Sequence, residues 1–160
     1  MATTTASRVQ AEIKQTRPFR SVRQEAAIAL FRTVDDLRRR YDAVIEPHGI
    51  TAQQYNVLRI LRGAHPDPLP TLEIGQRLIE RVPGITRLLD RLEAKGLVER
   101  KRCTHDRRMV HCWIAPAGLE LLATMEEAVD AADDASMGDL SDEETAELVG
   151  MLDRIREGTA

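Results

Sequence analysis

A mainly α-helical chain with one short β-hairpin is what the sequence predicts, on three observations. Apolar residues recur at steps of three and four along most of the 160 residues. Two neighbouring runs, 97–103 and 109–114, read as strands instead. Capping residues, prolines and glycines fall at the ends of the periodic segments. A chain of this length suits about one domain, and with 42% hydrophobic and 31% charged residues it has a globular composition.

Residues 1–20 are small, polar and unpatterned, and are expected to form a mobile arm. Ser21 and Gln24 have capping-box spacing. Val22, Ala26, Ala29, Leu30, Val34, Leu37, Tyr41, Val44 and Ile45 then make one helical stripe that ends before Pro47 and Gly49. A helix of about 24 residues is roughly 36 Å long. That is more stripe than a small domain needs for itself, so part of it is expected to face another subunit. Thr51 and Gln54 repeat the capping spacing, and Tyr55, Leu58 and Leu61 line a second helix that Gly63 ends. Pro66, Pro68 and Pro70 make the next stretch a loop. Thr71 is expected to cap a short helix carrying Leu72, Ile74, Leu78 and Ile79. After a break at Glu80-Arg81-Val82, Pro83 suits the first turn of a helix that buries Ile85, Leu88, Leu89 and Leu92 and stops at Gly96.

The two strand-like runs follow, joined by a polar turn at 104–108, with Val110, Cys112 and Ile114 on one face. Pro116 opens a helix carrying Leu119, Leu122, Met125, Ala128, Val129 and Ala132, which Gly138 interrupts. A capping box of Ser141 and Glu144 starts a last helix lined by Leu148, Met151, Leu152 and Ile155.

Charge is distributed unevenly beneath a net value of −3. Residues 81–111 carry nine Lys/Arg against four acids, whereas 116–160 carry thirteen acids against Arg154 and Arg156. A basic patch on an acidic body attracts a polyanion to one face and repels it from the rest. No apolar run is long enough for a membrane helix, and the opening residues have no apolar core of a secretory signal. Two cysteines make no disulfide framework. The expected location is cytoplasmic.

The middle of the chain therefore reads helix, helix, short break, helix, hairpin, the order of a winged helix-turn-helix. If Ile85, Leu88, Leu89 and Leu92 are buried, then Pro83, Gly84, Thr86, Arg87, Asp90 and Arg91 point outward. A DNA major groove about 12 Å wide admits such a helix, and its N-terminal residues reach base edges first. Pro83 and Gly84 allow close backbone approach, Thr86 donates to phosphate, and Arg87 or Arg91 grips guanine or pairs with phosphate. Arg81 lies just ahead of this helix. The turn His105-Asp106-Arg107-Arg108 offers arginines to a narrow minor groove, with Asp106 orienting a neighbouring arginine or fixing the turn.

These residues resemble the MarR family of bacterial winged-helix transcriptional regulators. Thr86 to Val98 fits that family's T-R-L-x-x-x-L-x-x-x-G-L-V recognition helix and strand, Asp106 to Arg108 its D-x-R wing tip, and Ile114 to Gly118 its L-T-x-x-G entry to the next helix. The resemblance spans about residues 22–157. One departure is Ala115, where the family has a Thr or Ser; the lost cap hydroxyl is worth ~1 kcal/mol. The resemblance implies a mainly α fold, a winged helix-turn-helix at 51–115 of three helices plus a β-hairpin wing, with long dimerisation helices at 21–47 and 116–157. It further implies a homodimer on a palindromic operator in double-stranded DNA. The regulator would be a ligand-responsive repressor, with a small lipophilic or phenolic effector near Tyr41, His48 and Tyr55.

Other classes fit less well. Cys103, His105, His111 and Cys112 gather on the hairpin, but adjacent strand residues point to opposite faces, so no metal is expected. Cys112 reads as a small core residue, and Trp113 as packing at the base of the wing. Cys103 lies among Arg100, Lys101, Arg102 and Arg107, so a thiol-based redox switch there is one alternative, although the family's peroxide sensors place their cysteine in the first helix. A protein-binding winged helix without DNA is another. No catalytic or cofactor-binding motif is present, so neither catalysis nor a cofactor is expected.

Overall fold

A computed structural model of the chain describes residues 7–80, 84–103 and 109–158. Two compact units result, Met1–Tyr41 and Asp42–Ala160, a division that falls inside a long helix rather than in the loop after it. The first unit opens with α1 (Arg8–Glu12), a short helix within the stretch expected to be an unpatterned arm. Local chemistry accounts for it. Ser7 accepts from the Gln10 N–H at 3.4 Å, and Arg8 pairs with Glu12 one turn on at 2.8 Å. The long helix α2 (Val22–Ile45) has the predicted bounds. Ser21 accepts from the Gln24 N–H at its start, and Val22, Phe31 and Val34 are exposed along it.

In the second unit a 3₁₀ turn, Glu46–His48, ends on Gly49 in the left-handed region (φ 77°). Helix α3 (Ala52–Ala64) begins with the predicted capping box, Thr51 and Gln54 each bonding the other's backbone N–H. Strand β1 (Leu69–Pro70) and helix α4 (Thr71–Arg77) follow, then α5 (Ile85–Ala94), β2 (Val98–Arg102), β3 (Val110–Ile114), α6 (Pro116–Met137) and α7 (Asp142–Glu157). The sheet order is β1-β3-β2, antiparallel throughout, with Val98 opposite Ile114 and Leu69 opposite Cys112.

Strand β1 corrects the loop expected at 65–70. Its two residues form the sheet edge, where a proline's missing N–H is tolerated, and Leu69 is buried. Thr71 is likewise the first residue of α4 rather than its cap. Pro70 is the cap residue, and the Thr71 hydroxyl donates to the Val110 carbonyl at 3.2 Å.

The core of this unit joins Val57, Leu58 and Leu61 of α3, Ile74 of α4, Leu89 and Leu92 of α5, Cys112 of β3 and Leu122 and Met125 of α6. Helix α6 starts without a side-chain cap, as Ala115 requires. The Ala115 carbonyl accepts from both Gly118 N and Leu119 N (2.9 and 3.1 Å), which closes the first turn by backbone alone. The Ser141–Glu144 capping box opens α7 as expected. No helix among the described residues is long and apolar enough to cross a membrane.

Candidate nucleic-acid interface

The sequence of α5 divides cleanly between two faces. Leu89 and Leu92 are fully buried and Ile85 and Leu88 half-buried, while Gly84, Thr86, Arg87, Asp90 and Arg91 are exposed. The outward face is therefore the polar, basic one, as the periodicity requires. Gly84 stands at the N-cap with φ 96°. A Cβ there would meet nothing within 4 Å, so glycine answers to backbone conformation rather than to space. Arg81, Pro83, His105, Asp106, Arg107 and Arg108 lie outside the described residues.

The break between α4 and α5 is longer than the sequence suggests. Helix α4 stops at Arg77, because Leu78 turns to an extended conformation (ψ 138°). The Ile79 N–H then donates to the Asn56 side-chain carbonyl of α3 at 3.1 Å instead of continuing the helix. Ile79 consequently stands exposed instead of joining the stripe with Ile74.

Arg100 is the residue whose role sequence reading missed. It sits on β2 with its side chain four-fifths buried (19% exposed) and reaches back to α5. Its guanidinium donates to Glu93 through Nε (2.9 Å) and Nη2 (2.6 Å), and to Asp90 through Nη2 (2.5 Å). The Glu93 hydrogen bond is the main cause that raises its pKa above the usual arginine value, against the opposing effect of burial. Arg100 thus fastens α5 to β2. The signal in sequence was the pairing of an arginine with acids on the neighbouring helix, hidden inside a basic run.

The rest of the hairpin is packed in detail. Lys101 Nζ lies 5.6 Å from the centre of the Trp113 ring, and the His111 ring meets Trp113 edge-on at 6.1 Å. That places Trp113, half-buried, in the body of the hairpin. Cys103 is half-buried, and its N–H donates to the Met109 carbonyl at 2.9 Å. Cys112 is wholly buried with Thr71 Oγ1 3.7 Å from its sulfur, and burial pushes its thiol pKa up. Among the described residues no group of three or more His, Cys, Asp or Glu side chains is arranged to hold a metal. Of the expected effector residues, Tyr41 is half-buried in the first unit; His48 is exposed in the 3₁₀ turn of the second. Tyr55, half-buried on α3, accepts through its hydroxyl from Arg59 at 2.9 Å.

Comparison with known proteins fits this geometry. A sequence profile of the MarR family matches residues 48–109. The HTH-type transcriptional regulator MhqR of Bacillus subtilis is 30% identical over 125 residues, which cover 78% of this chain and 83% of MhqR. A MarR transcription factor from Planctomyces limnophilus is 39% identical, with a TM-score of 0.67 over 85% of this chain and 98% of that one. The MepR–DNA complex of S. aureus shares the fold, with a TM-score of 0.73 at 24% identity over 81% of this chain and 96% of that one. With a basic outward helix, a hairpin fastened to it and relatives of this kind, the chain belongs to the MarR family of transcriptional regulators.

Proposed function

We propose that the chain represses transcription as a cytoplasmic homodimer, binding a palindromic operator in double-stranded DNA and releasing it to a small lipophilic or phenolic effector. The observation that carries this reading is the exposed Thr86, Arg87 and Arg91 face of α5, held outward by the buried Leu89 and Leu92. Thr86 reaches a phosphate, Arg87 grips a guanine edge and Arg91 pairs with a phosphate further along the groove. Arg81 and Pro83 at the helix entrance, and His105, Asp106, Arg107 and Arg108 at the wing tip, complete the contact in this reading. Exposed apolar side chains on α2 (Val22, Phe31) and on α7 (Val149, Met151, Ile155) support a second copy as the covering partner. A two-fold dimer matches half-sites about one helical turn apart. The chain regulates without catalysing a reaction.

The test is a mobility-shift titration with the DNA upstream of the protein's own gene, run over a salt series. Phosphate contacts make log K fall with log salt by about 0.9 per phosphate neutralised. A steep fall is expected. A flat salt response would assign the basic face to a protein partner instead.

A further inference from the structure

The break between α4 and α5 is fixed from outside the two helices. Had α4 run on, the Ile79 N–H would bond the Gly75 carbonyl one turn back. Gly75 lies in the last turns of α4, and glycine holds a helix poorly. The Ile79 N–H goes instead to Asn56 Oδ1 of α3 at 3.1 Å, and Leu78 is left extended (ψ 138°). A backbone donor sets the orientation of the Asn56 amide, because only its oxygen accepts. Asn56 is half-buried, and the next two residues of α3, Val57 and Leu58, are 0% exposed. The acceptor therefore stands on a helix anchored in the core. Ile79 itself is 86% exposed, so its side chain does not hold it in place; the backbone bond does.

What this bond controls is the entrance to α5. From its middle onward α5 is well fastened, since Leu89 and Leu92 are buried and Arg100 grips Asp90 and Glu93. Thr86 and Arg87 lie at its other end, exposed and nearest the break. A residue advances the chain about 3.3 Å when extended and about 1.5 Å in a helix. Turning Leu78 alone back into helix would shorten the path toward α5 by roughly 1.8 Å. A recognition contact tolerates about 0.5 Å, so a shift of that size is decisive.

We infer that Asn56 is a positioning residue for base recognition, given the base-reading role of α5 proposed above. Through the Ile79 N–H it holds α4 short and sets where the N-terminal end of α5 enters the groove. It acts through the backbone, without touching DNA.

The experiment has two arms on the full chain. Asn56→Leu and Asn56→Ala remove the acceptor, whereas Asn56→Asp keeps it. Without DNA, hydrogen exchange of the Ile79 amide, followed by NMR, should be slow in the parent and in Asn56→Asp and faster in the other two. The Val57 and Leu58 amides should stay protected in all of them. With DNA, anisotropy titrations compare the fragment upstream of the protein's own gene with a random-sequence duplex of equal length. The charge added by aspartate weakens both alike, so the ratio of the two affinities isolates positioning. That ratio should fall about tenfold in Asn56→Leu and Asn56→Ala and be kept in Asn56→Asp. Unchanged Ile79 exchange, an unchanged ratio in the folded Leu and Ala variants, or loss of the ratio in all three would overturn the role given to Asn56. A parent protein that binds both duplexes alike would overturn the base-reading face instead, and the exchange arm would still decide the bond to Ile79.

Discussion

At the residue scale, Arg87 and Arg100 show how identical side chains in one basic stretch come to do different work. Arg87 is exposed on the face of α5 proposed above to meet DNA, whereas Arg100 is engaged with Glu93 and Asp90. Partly exposed ion pairs contribute about 0.2–1 kcal/mol each, so Arg100→Met should lower stability by about 1 kcal/mol in a urea melt. It should also reduce DNA affinity without changing base preference or the salt slope, because it acts by positioning α5. A salt slope reduced by about one would instead mark Arg100 as a phosphate contact. Cys112 gives a pH prediction. Its folded pKa is raised by burial, so the folded chain holds the thiol proton more tightly than the unfolded chain. Stability is then full below the ordinary thiol pKa of about 8.5 and declines as pH rises above it. Denaturation midpoints between pH 7 and 10 should show this decline, and Cys112→Ala should remove that component. Alkylation of the native protein should reach half-buried Cys103 before Cys112.

At the element scale, the joint between α6 and the hairpin is closely packed at Gly118. A Cβ on Gly118 would lie 2.5 Å from the Leu97 carbonyl oxygen and 2.8 Å from Ile114 Cγ1. Helix propensity alone favours Gly→Ala by about 1 kcal/mol, but forcing atoms into a packed joint costs about 1–3 kcal/mol. Overpacking wins, because one clash is with backbone that cannot swing away. Gly118→Ala should therefore lower the thermal midpoint, and a rise would show that the joint relaxes freely. Elements with strong periodicity and caps were legible from sequence: α2 has its predicted bounds, and the capping boxes of α3 and α7 close as expected. What sequence concealed were features made by distant partners. β1 exists because β3 supplies a ladder for Leu69 and Pro70, and α4 ends at Arg77 while Asn56 captures the next turn. The outward face of α5 was legible because periodicity fixes it; the Arg100 clamp was not, because spacing does not reveal which acid an arginine meets.

At the scale of the whole molecule, charge is segregated along the chain. Residues 81–111 carry a basic surplus and 116–160 an acidic one, so the stretch holding α5 and the hairpin attracts a polyanion while the C-terminal helices repel it. Phe31 on α2 and Met151 on α7 are exposed apolar side chains, which the proposed dimer would cover. Sedimentation equilibrium should give twice the 18.0 kDa of one chain, and Phe31→Glu combined with Met151→Glu should shift the population toward monomer. A monomer at micromolar concentration would remove the basis for a palindromic site. The central claim, that the outward face of α5 reads bases, is tested most directly by fluorescence-anisotropy titration of Arg87→Ala against an operator and its single-base variants. A bidentate base contact carries about 1–3 kcal/mol of discrimination. The account predicts that the variant binds the operator roughly 5- to 150-fold more weakly and no longer distinguishes one base pair that the parent protein does. Unchanged affinity and unchanged base preference in a folded variant would contradict it.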